Sequence, residues 1–335
     1  MWRACVFAFL ATYSGLEARA GIETAQRYSD QHGGRAFLVW QNGQIVRESY
    51  AHGGSQARGE NIYSITKSLA ALGIFSAISK DWMKLDTPAC QFLPTWKKSP
   101  GKSAITVREL LDQTSGLASG YEKLYAKSLR DKRTAALAVP LVNRPGEVFA
   151  YGPSNYETLE ALMASCLEKS PHQWLLDTVL TPIGVKPIQW RKDRLDHPFF
   201  SAGAYLTARD LLSVGQLVRR KGARWIFPVF PSLLMDIAAQ GSPANRMYGL
   251  GFWLNHGVLQ QGGVERDVEE AISQPLSRED WAHSCLSRRA PSDLIAMVGS
   301  NGQRVYVSTA QNIIIVRLGV RGGFRDPDFL QAFFR

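Results

Sequence analysis

The parts of this 335-residue chain that are typical of β-strands lie near its two ends, and a mainly helical stretch separates them. The β-rich runs are residues 36–40 and 45–50 near the start and residues 293–298, 304–308 and 312–318 near the end. Asn42-Gly43, between the first two runs, favours a hairpin because both residues tolerate positive φ. We therefore expect an α/β (α+β) fold in which N- and C-terminal segments form one antiparallel sheet flanked by helices.

The helical stretch predicts a second unit inserted into the first. Thr106 with Glu109 and Thr207 with Asp210 are capping boxes, each of which opens a helix. We expect an α/β lobe from residues 21–63 and 223–335 and a helical lobe from residues 64–222. A cleft between two lobes is a common position for a small-molecule site, so we expect the active site there.

The first twenty residues differ in character from the rest of the chain. A positive start at residues 1–3, an apolar run at residues 4–10 and the triplet Ala18-Arg19-Ala20 are typical of a secretory signal peptide. We interpret residues 1–20 as such a signal, removed after Ala20, which predicts a periplasmic or secreted protein. A buried N-terminal helix is the alternative interpretation. No other segment approaches the roughly 18–20 apolar residues that a transmembrane helix needs.

Composition and the distribution of charge argue against a nucleic-acid partner. The chain is 45% hydrophobic and 20% charged, which is typical of a globular protein. Its net charge is +10, but the basic residues are scattered, whereas a nucleic-acid interface needs a continuous basic face. We therefore expect no nucleic-acid partner, and at most a weak attraction to anionic surfaces of the cell envelope.

The cysteines do not indicate a metal site. The sequence has no CxxC motif and no Cys/His cluster, which argues against structural zinc. Cys5 lies in the predicted signal peptide, and the remaining cysteines are Cys90, Cys166 and Cys285. One disulfide with a free thiol and no disulfide at all both stay open.

Ser64 and Lys67 stand where an irregular segment, residues 59–63, meets an apolar, alanine-rich helix. Positions i and i+3 are neighbours on one helix face, so the hydroxyl and the amine can meet. A serine hydroxyl needs an adjacent base to act as a nucleophile, and a lysine whose pKa is lowered by burial can be that base. The same spacing recurs at Ser99 and Lys102, where a Pro-Gly pair indicates a surface turn.

Two further segments carry candidate site residues. Residues 145–156 form a turn-rich stretch that ends at a helix start, and Tyr151 within it could face the cleft. Tyrosine has an ordinary pKa near 10, so it becomes a useful base only where nearby cations stabilise its phenolate or where it shares a proton with an amine. Residues 299–303 have the glycines of a tight turn, and backbone N–H groups there could face a substrate carbonyl. Taken singly, an ordinary turn tyrosine and an ordinary hairpin are the simpler interpretations.

Together these segments occur in the order, and at the approximate distances, found in the serine β-lactamase and penicillin-binding-protein superfamily. The resemblance covers roughly residues 35 to 320 and includes the strings LLDQTSGL (residues 110–117) and YLTARDLL (residues 205–212), which are more specific than Ser-x-x-Lys. The chain most resembles the class C β-lactamase-related serine hydrolases, in the branch with 6-aminohexanoate-dimer hydrolase and related esterases.

The resemblance implies Ser64 as the acylated nucleophile, Lys67 as its proton acceptor and Tyr151 as a second acid/base. It also implies two sets of supporting residues: the N–H groups of Ser64 and Ser300 as an oxyanion hole, and Asn155, Gly299 and Gln303 as substrate-binding residues. No metal and no organic cofactor are implied. The implied substrate is a small-molecule ester or amide.

Two departures from class C β-lactamases weaken the case for a β-lactam substrate. Those enzymes carry Tyr-x-Asn, whereas here Asn155 stands four residues after Tyr151, and the chain has no Lys-Thr-Gly. A β-lactamase or D-amino-acid peptidase is therefore the alternative, and a non-catalytic acylated sensor of the same fold is a third. A Ser-His-Asp triad is disfavoured because no Gly-x-Ser-x-Gly surrounds any serine.

Overall fold

The computed structural model describes residues 19–223, 228–256, 262–320 and 322–335. The predicted signal peptide lies outside these residues except for residues 19 and 20, which belong to a helix. Signal and export therefore stay predictions. No helix of the described residues is long and apolar enough to cross a membrane.

A seven-stranded sheet organises the structure, with strand order β2-β1-β12-β11-β10-β7-β6 and every neighbouring pair antiparallel. Its strands are β1 (Gly34–Gln41), β2 (Gln44–Tyr50), β6 (Tyr248–Gly249), β7 (Phe252–Leu254), β10 (Ile295–Gly299), β11 (Gln303–Ser308) and β12 (Ile313–Gly319). The expected fold class is confirmed, since N- and C-terminal segments share this sheet. The predicted hairpin is also present, with Asn42 at φ 49° and Gly43 at φ 100°.

Short strands form two smaller sheets. The first has the order β3-β5-β4, and the second is a parallel pair, β8-β9. These strands are β3 (Glu60–Asn61), β4 (Gln189–Trp190), β5 (Ala204–Leu206), β8 (Val264–Glu265) and β9 (Ser284–Cys285). The first small sheet ties the segment that precedes Ser64 to the segment that follows residue 203, because Ile62 N donates to Ala204 O at 3.1 Å.

Helices make up most of the middle of the chain and close its end. They are α1 (residues 19–31), α2 (Ile65–Ile78), α3 (Val107–Leu111), α4 (Tyr121–Leu124), α5 (Lys132–Leu137), α6 (Ser154–Cys166), α7 (Pro171–Leu175), α8 (Ala208–Arg219), α9 (Ser232–Ala238), α10 (Val268–Ala271), α11 (Arg278–Ala282) and α12 (Asp326–Phe333). Both predicted capping boxes are present, at Thr106 with Glu109 and at Thr207 with Asp210.

The two faces of the sheet bury different sets of side chains, as the alternation of a strand requires. On β1, Phe37 and Val39 join the core beneath the terminal helices α1 and α12. Leu38 and Trp40 point the other way, into a core shared with α2 and α8. Gly215 lets α8 lie close to the sheet, because a Cβ there would lie 2.7 Å from Ile314 Cγ2.

Helix α2 is buried on every side, since thirteen of its fourteen residues are buried. A helix that is apolar all round belongs in the middle of a structure, and α2 lies between the sheet and the other helices. Both α2 and α8 fall within the residues expected to form the helical lobe and also pack against the sheet. The division into lobes at residues 64 and 222 stays a prediction. Cys90, Cys166 and Cys285 are free thiols.

Candidate active site

Ser64 occupies the N-cap of α2 but does not act as a cap. Its side chain makes no capping hydrogen bond, although serine at this position ordinarily accepts one from the first turn. The preceding residue, Tyr63, is held at φ 45°, a conformation that costs a non-glycine residue roughly 1–3 kcal/mol and recurs at functional sites. Since it makes no capping bond, the Ser64 hydroxyl is free for another partner.

That partner is Lys67, whose Nζ lies 3.1 Å from Ser64 Oγ. The lysine is buried at 1% exposure, while Ser64 is partly exposed and can meet a solute. Nζ also donates to the backbone carbonyl of Ser201 at 2.9 Å, which fixes the end of the side chain. Burial lowers the pKa of Lys67 from 10.5 to about 7, although the negative charge of Glu157 acts in the opposite direction. Lys67 is therefore neutral in a large fraction of molecules near pH 7.

Glu157, on α6, holds the segment that carries this carbonyl. Its Oε1 accepts from Ser201 N at 3.0 Å and from Ser201 Oγ, and its Oε2 accepts from Phe200 N at 3.3 Å. The hydroxyl of Tyr125 donates to Ser201 Oγ at 2.9 Å on the other side. The position of the Ser201 carbonyl, and through it that of Lys67, therefore depends on a buried carboxylate.

The charge of Glu157 is balanced by its own partners and not by Lys67. Lys132 Nζ, also fully buried, lies 2.9 Å from Glu157 and 2.7 Å from Glu160. Arg133 makes a two-pronged contact with Glu160, at 2.7 and 2.9 Å. Two cations and two carboxylates thus neutralise one another. Lys67, beside this group, pairs directly with no carboxylate of the described residues, which explains why burial outweighs attraction in setting its pKa.

Tyr151 lies beside Lys67, whose Nζ is 4.8 Å from the centre of the tyrosine ring. Gln113 fixes the backbone on both sides of it: Ala150 N donates to Gln113 O at 2.9 Å, and Gly152 N donates to Gln113 Oε1 at 2.8 Å. Gln113 Nε2 in turn donates to the hydroxyl of Tyr248 at 3.1 Å. The backbone of Gln113 is itself strained, at φ 57°.

The surroundings of Tyr151 favour its neutral form. Burial raises the pKa of the phenol well above its ordinary value of 10, and neighbouring Tyr248 and Tyr121 act in the same direction, whereas a hydrogen bond with Ser64 lowers it. At neutral pH the group is therefore a proton donor and not a phenolate. A neutral tyrosine, and a lysine that is neutral in part of the molecules at pH 7, are suited to proton transfer at one serine.

The turn that follows β10 lies close to the start of α2. Gly299, the last residue of β10, packs so tightly that a Cβ there would lie 2.2 Å from the carbonyl oxygen of Ile62, two residues before Ser64. Ser300, the next residue, is exposed. Neither the Ser64 N–H nor the Ser300 N–H donates to another of the described residues. Two unused N–H groups are what an oxyanion hole requires, and that role for Ser64 and Ser300 stays a prediction.

Of the predicted substrate-binding side chains, that of Gln303 is fully hydrogen-bonded and that of Asn155 only in part. Asn155 is buried and accepts a hydrogen bond from Ser115 Oγ, while its Nδ2 has no partner among the described residues. Both ends of the Gln303 amide bind the backbone of Gly319, at 2.6 and 2.9 Å. A substrate contact with Gln303 would replace a link between strands, so the substrate role of these side chains stays a prediction.

Elsewhere in the described chain, Asp131, Asp193 and His197 bring possible metal-ligating atoms within 4.8 Å of one another. Asp193, however, already accepts from the backbone N–H groups of Lys132, Leu195 and His197 at 2.8–2.9 Å. Hydrogen bonding to three backbone N–H groups accounts for the position of Asp193 within the loop. In the second Ser-x-x-Lys match, Lys102 Nζ donates to Leu137 O at 2.9 Å.

Sequence reasoning did not find Gln113, Glu157 or Ser201. Gln113 lies inside the LLDQTSGL string, where a polar residue in an apolar context could have attracted attention. Glu157 and Glu160 are carboxylates one turn apart on a buried helix, which was the available signal for an internal ion pair. Ser201 contributes its backbone carbonyl to Lys67, and a sequence carries no sign of such a contact.

The sequence profile of the family described as Beta-lactamase matches residues 19–325. Among solved structures, the "Putative 6-aminohexanoate-dimer hydrolase from Bacillus anthracis" superposes with a TM-score of 0.71 at 18% identity, over 92% of this chain and 79% of that one. EstCE1, described as a hydrolase with promiscuous acyltransferase activity, gives 0.69 at 16% identity, over 96% and 100%. The two structural likenesses show the fold, and the family match over residues 19–325 confirms the superfamily that the motifs indicated.

Two further similarities extend this result. The octameric penicillin-binding protein homologue from Pyrococcus abyssi superposes with a TM-score of 0.64 at 16% identity, over 94% of this chain and 75% of that one. Protein flp of Staphylococcus aureus (strain MW2) is 25% identical over 188 residues, which is 51% of this chain. The aligned part is 38% of the length of that protein, so this chain spans well under half of its curated relative.

The charge balance around Lys67 generates a prediction about its titration. In protein carrying [ε-¹³C]lysine, the Lys67 NMR resonance should titrate near pH 7. Glu157→Gln should move the midpoint to lower pH, because it removes the negative charge that favours the ammonium form. Glu160→Gln is the matched control, since Glu160 also pairs with Lys132 but makes no contact with Ser201, and should shift the midpoint less. A Lys67 midpoint close to 10.5 would contradict this description of the site.

Proposed function

The chain belongs to the Beta-lactamase family, and from that membership we propose that it is a serine hydrolase that cleaves a small ester or amide through an acyl-enzyme on Ser64. The observation that carries the proposal is the 3.1 Å contact between Ser64 Oγ and a buried lysine amine whose pKa is about 7. An amine in that state accepts a proton from serine at neutral pH, whereas an ordinary exposed lysine is fully protonated.

In the first half-reaction, Ser64 Oγ attacks the substrate carbonyl carbon while its proton passes to Lys67 Nζ. The carbonyl oxygen becomes an oxyanion, which the N–H groups of Ser64 and Ser300 stabilise. Breakdown of this intermediate breaks the bond to the leaving group, which takes a proton from Tyr151 as Lys67 returns its proton to Tyr151. The alcohol or amine departs, and the acyl group stays on Ser64.

Deacylation reverses these roles. A water molecule attacks the acyl carbon and gives its proton to the Lys67–Tyr151 pair, and that proton then returns to Ser64 Oγ as the acid departs. Each step passes through Lys67 as a transient ammonium ion. The carbonyl of Ser201, 2.9 Å away, and the charge of Glu157 both favour that ion. The Lys67 site thus tolerates both charge states, as a proton carrier requires.

An ester or amide fits this chain better than a β-lactam. The strand end beside the oxyanion hole reads Val298-Gly299-Ser300, without the Lys-Thr-Gly that supplies a cation for the β-lactam carboxylate in class C enzymes. EstCE1, which shares the fold, is described as a hydrolase with acyltransferase activity. We place the activity outside the cytoplasm on the basis of the predicted signal peptide, residues 1–20.

Loss of the nucleophile provides the first test. Wild-type protein should be labelled on Ser64 by a fluorophosphonate and should release p-nitrophenol from a short-chain ester, whereas Ser64→Ala should do neither while keeping its melting temperature. Ser99→Ala, in the second Ser-x-x-Lys match, is the matched control and should behave as wild type. Mass spectrometry locates the label. Failure of the wild-type protein to be labelled at Ser64 would sink the proposal.

A substrate panel distinguishes the alternatives under the same conditions. Turnover of nitrocefin with a kcat/KM well above that of simple esters would assign a β-lactamase instead. A stable acyl adduct on Ser64, formed without continued release of product, would assign a non-catalytic sensor.

Tyr151→Phe tests proton delivery. The ring that lies beside Lys67 is kept and the hydroxyl is lost, so kcat for an amide or ester with a poor leaving group should fall by about 10²–10⁴-fold. The leaving group of a p-nitrophenyl ester needs no proton, so such an ester should acylate Ser64 with a smaller loss of rate. Stopped-flow kinetics separate acylation from turnover, with Tyr121→Phe as control. An equal loss for both kinds of leaving group would rule Tyr151 out as the proton donor.

A further inference from the structure

The turn between β10 and β11 is held by side chains from three other parts of the chain. Its residues are Ser300, Asn301 and Gly302, of which Asn301 (φ 64°) and Gly302 (φ 71°) both adopt the left-handed conformation. A Cβ on Gly302 would lie 2.3 Å from Arg317 Nη1, so a side chain here would displace the Arg317 guanidinium and would also be strained at this φ. A turn of this shape places successive backbone N–H groups close together, and their partners decide which of them is available.

Glu269, on the short helix α10, takes up two of the three N–H groups. Asn301 N donates to Glu269 Oε2 at 3.0 Å, and Gly302 N donates to Glu269 Oε1 at 2.9 Å. One carboxylate thus bridges adjacent amides with both of its oxygens. The N–H of Ser300, the predicted oxyanion donor, donates to no other described residue.

Arginines take up the carbonyl groups of the same turn. Arg304 Nη1 donates to Gly299 O at 2.8 Å and to Gln303 O at 3.0 Å, at the two ends of the turn. Arg317 Nη1 donates to Gly302 O at 2.7 Å. With its neighbouring amides and carbonyls bonded, the turn has little freedom to rotate the Ser300 N–H away from its present direction.

Arg304, one of the two arginines that bind the turn, is itself held in the buried interior. Arg304 is fully buried and pairs with Asp326, at the start of α12, through contacts of 2.7 and 3.0 Å. Its Nη1 also lies 3.2 Å from Glu269 Oε1, so one guanidinium contacts both the turn and the carboxylate that binds the turn. A cation this close reduces the unfavourable effect that the negative charge of Glu269 would have on an oxyanion.

We propose that Glu269 is a positioning residue for the oxyanion hole: it binds the N–H groups of Asn301 and Gly302 and so directs the remaining N–H, that of Ser300, toward the carbonyl attacked by Ser64. This inference rests on the proposed hydrolase function and adds to it a residue outside the Ser64–Lys67–Tyr151 centre. Glu269 itself touches no reacting atom. Its contribution is to the geometry of a donor, and a donor displaced by about 1 Å can lower a rate by roughly 10²-fold.

The test compares two adjacent glutamates of α10. Glu269→Ala removes both contacts with the turn and should lower the rate of Ser64 acylation by a p-nitrophenyl ester by roughly 10- to 100-fold. Glu270→Ala is the matched control, because Glu270 is exposed, pairs with Arg325 at 2.9 Å and makes no contact with the turn. It should acylate at the wild-type rate. Glu269→Gln keeps one amide oxygen as an acceptor and should recover part of the loss.

A second measurement separates positioning from a general loss of structure. A phenylboronic acid forms a tetrahedral adduct on serine, so its inhibition constant should rise in Glu269→Ala by about the factor lost from the acylation rate. The carboxylic acid product has a trigonal carbon, so its inhibition constant should change little. The melting temperature should stay near that of Glu270→Ala. These two readouts together identify an effect on the oxyanion and not on folding or on substrate binding.

The outcomes distinguish this inference from the function on which it rests. If the wild-type protein acylates Ser64 and Glu269→Ala does so equally fast, the positioning role is overturned while the hydrolase stands. Equal weakening of the boronic acid and the product, or a melting temperature that falls with the rate, also overturns it by assigning a structural role to Glu269. If wild-type protein forms no acyl-enzyme, the proposed function fails, and the role of Glu269 fails with it.

Discussion

The site depends on one buried amine, that of Lys67, which forms no ion pair with a carboxylate in the part of the chain that the structure describes. An ionised amine enclosed by protein loses hydration that is worth several kcal/mol, and the usual remedies are a direct ion pair or loss of the proton. For Lys67 the result is loss of the proton: its amine contacts a hydroxyl and a carbonyl, and its pKa falls to about 7. The nearby carboxylate of Glu157 is close enough to keep that pKa from falling further but is already paired with Lys132.

This balance explains the presence of so much buried charge in an otherwise apolar region. Lys132 and Glu157 are fully buried, and a pair of this kind is weak support for stability because desolvation cancels much of its attraction. Its value lies in geometry. Glu157 binds the amides of residues 200 and 201 and so places a carbonyl within 2.9 Å of Lys67. Replacing the pair with apolar residues would leave that segment without an anchor.

The fold supplies the reacting groups from separate layers. Helix α2 brings Ser64 and Lys67, the segment before α6 brings Tyr151, and the end of β10 meets the backbone at Ile62. Each of these segments is rigid for a local reason: burial on all sides for α2, the Gln113 contacts around Tyr151, and the carboxylate and arginines around the β10–β11 turn. Groups that must meet within a few tenths of an ångström are thus fixed by independent contacts.

Local signals in the sequence were sufficient to predict the local structure. The Asn42-Gly43 hairpin, the capping boxes at Thr106 and Thr207, and the approach of Ser64 to Lys67 all depend on residues at most a few positions apart. The sheet could be predicted from β-rich runs at both ends of the chain. Strands β6 and β7, of two and three residues, were too short to give a periodic signal and were not predicted.

Interactions between distant residues could not be predicted in this way. The Lys67–Ser201 contact spans 134 positions and uses a backbone carbonyl, which every residue has. Glu269 binds amides 32 and 33 positions away, in a region whose sequence shows no recognisable pattern. The roles of Asn155 and Gln303 in substrate binding came from resemblance alone and stay predictions, and the contacts of their side chains with Ser115 and Gly319 were not predicted. Tertiary packing decides which polar groups come into contact, and packing cannot be predicted from the pattern of a single sequence.

The pH dependence of Ser64 acylation tests the central claim most directly. Fluorophosphonate labelling should be measured from about pH 5 to about pH 9, with the protein shown to be folded throughout. Only neutral Lys67 accepts the serine proton, so the rate should rise with pH through a single titration whose midpoint lies near pH 7. A rate that does not change over this range, or one still rising steeply at pH 9, would show that a buried neutral lysine is not the base.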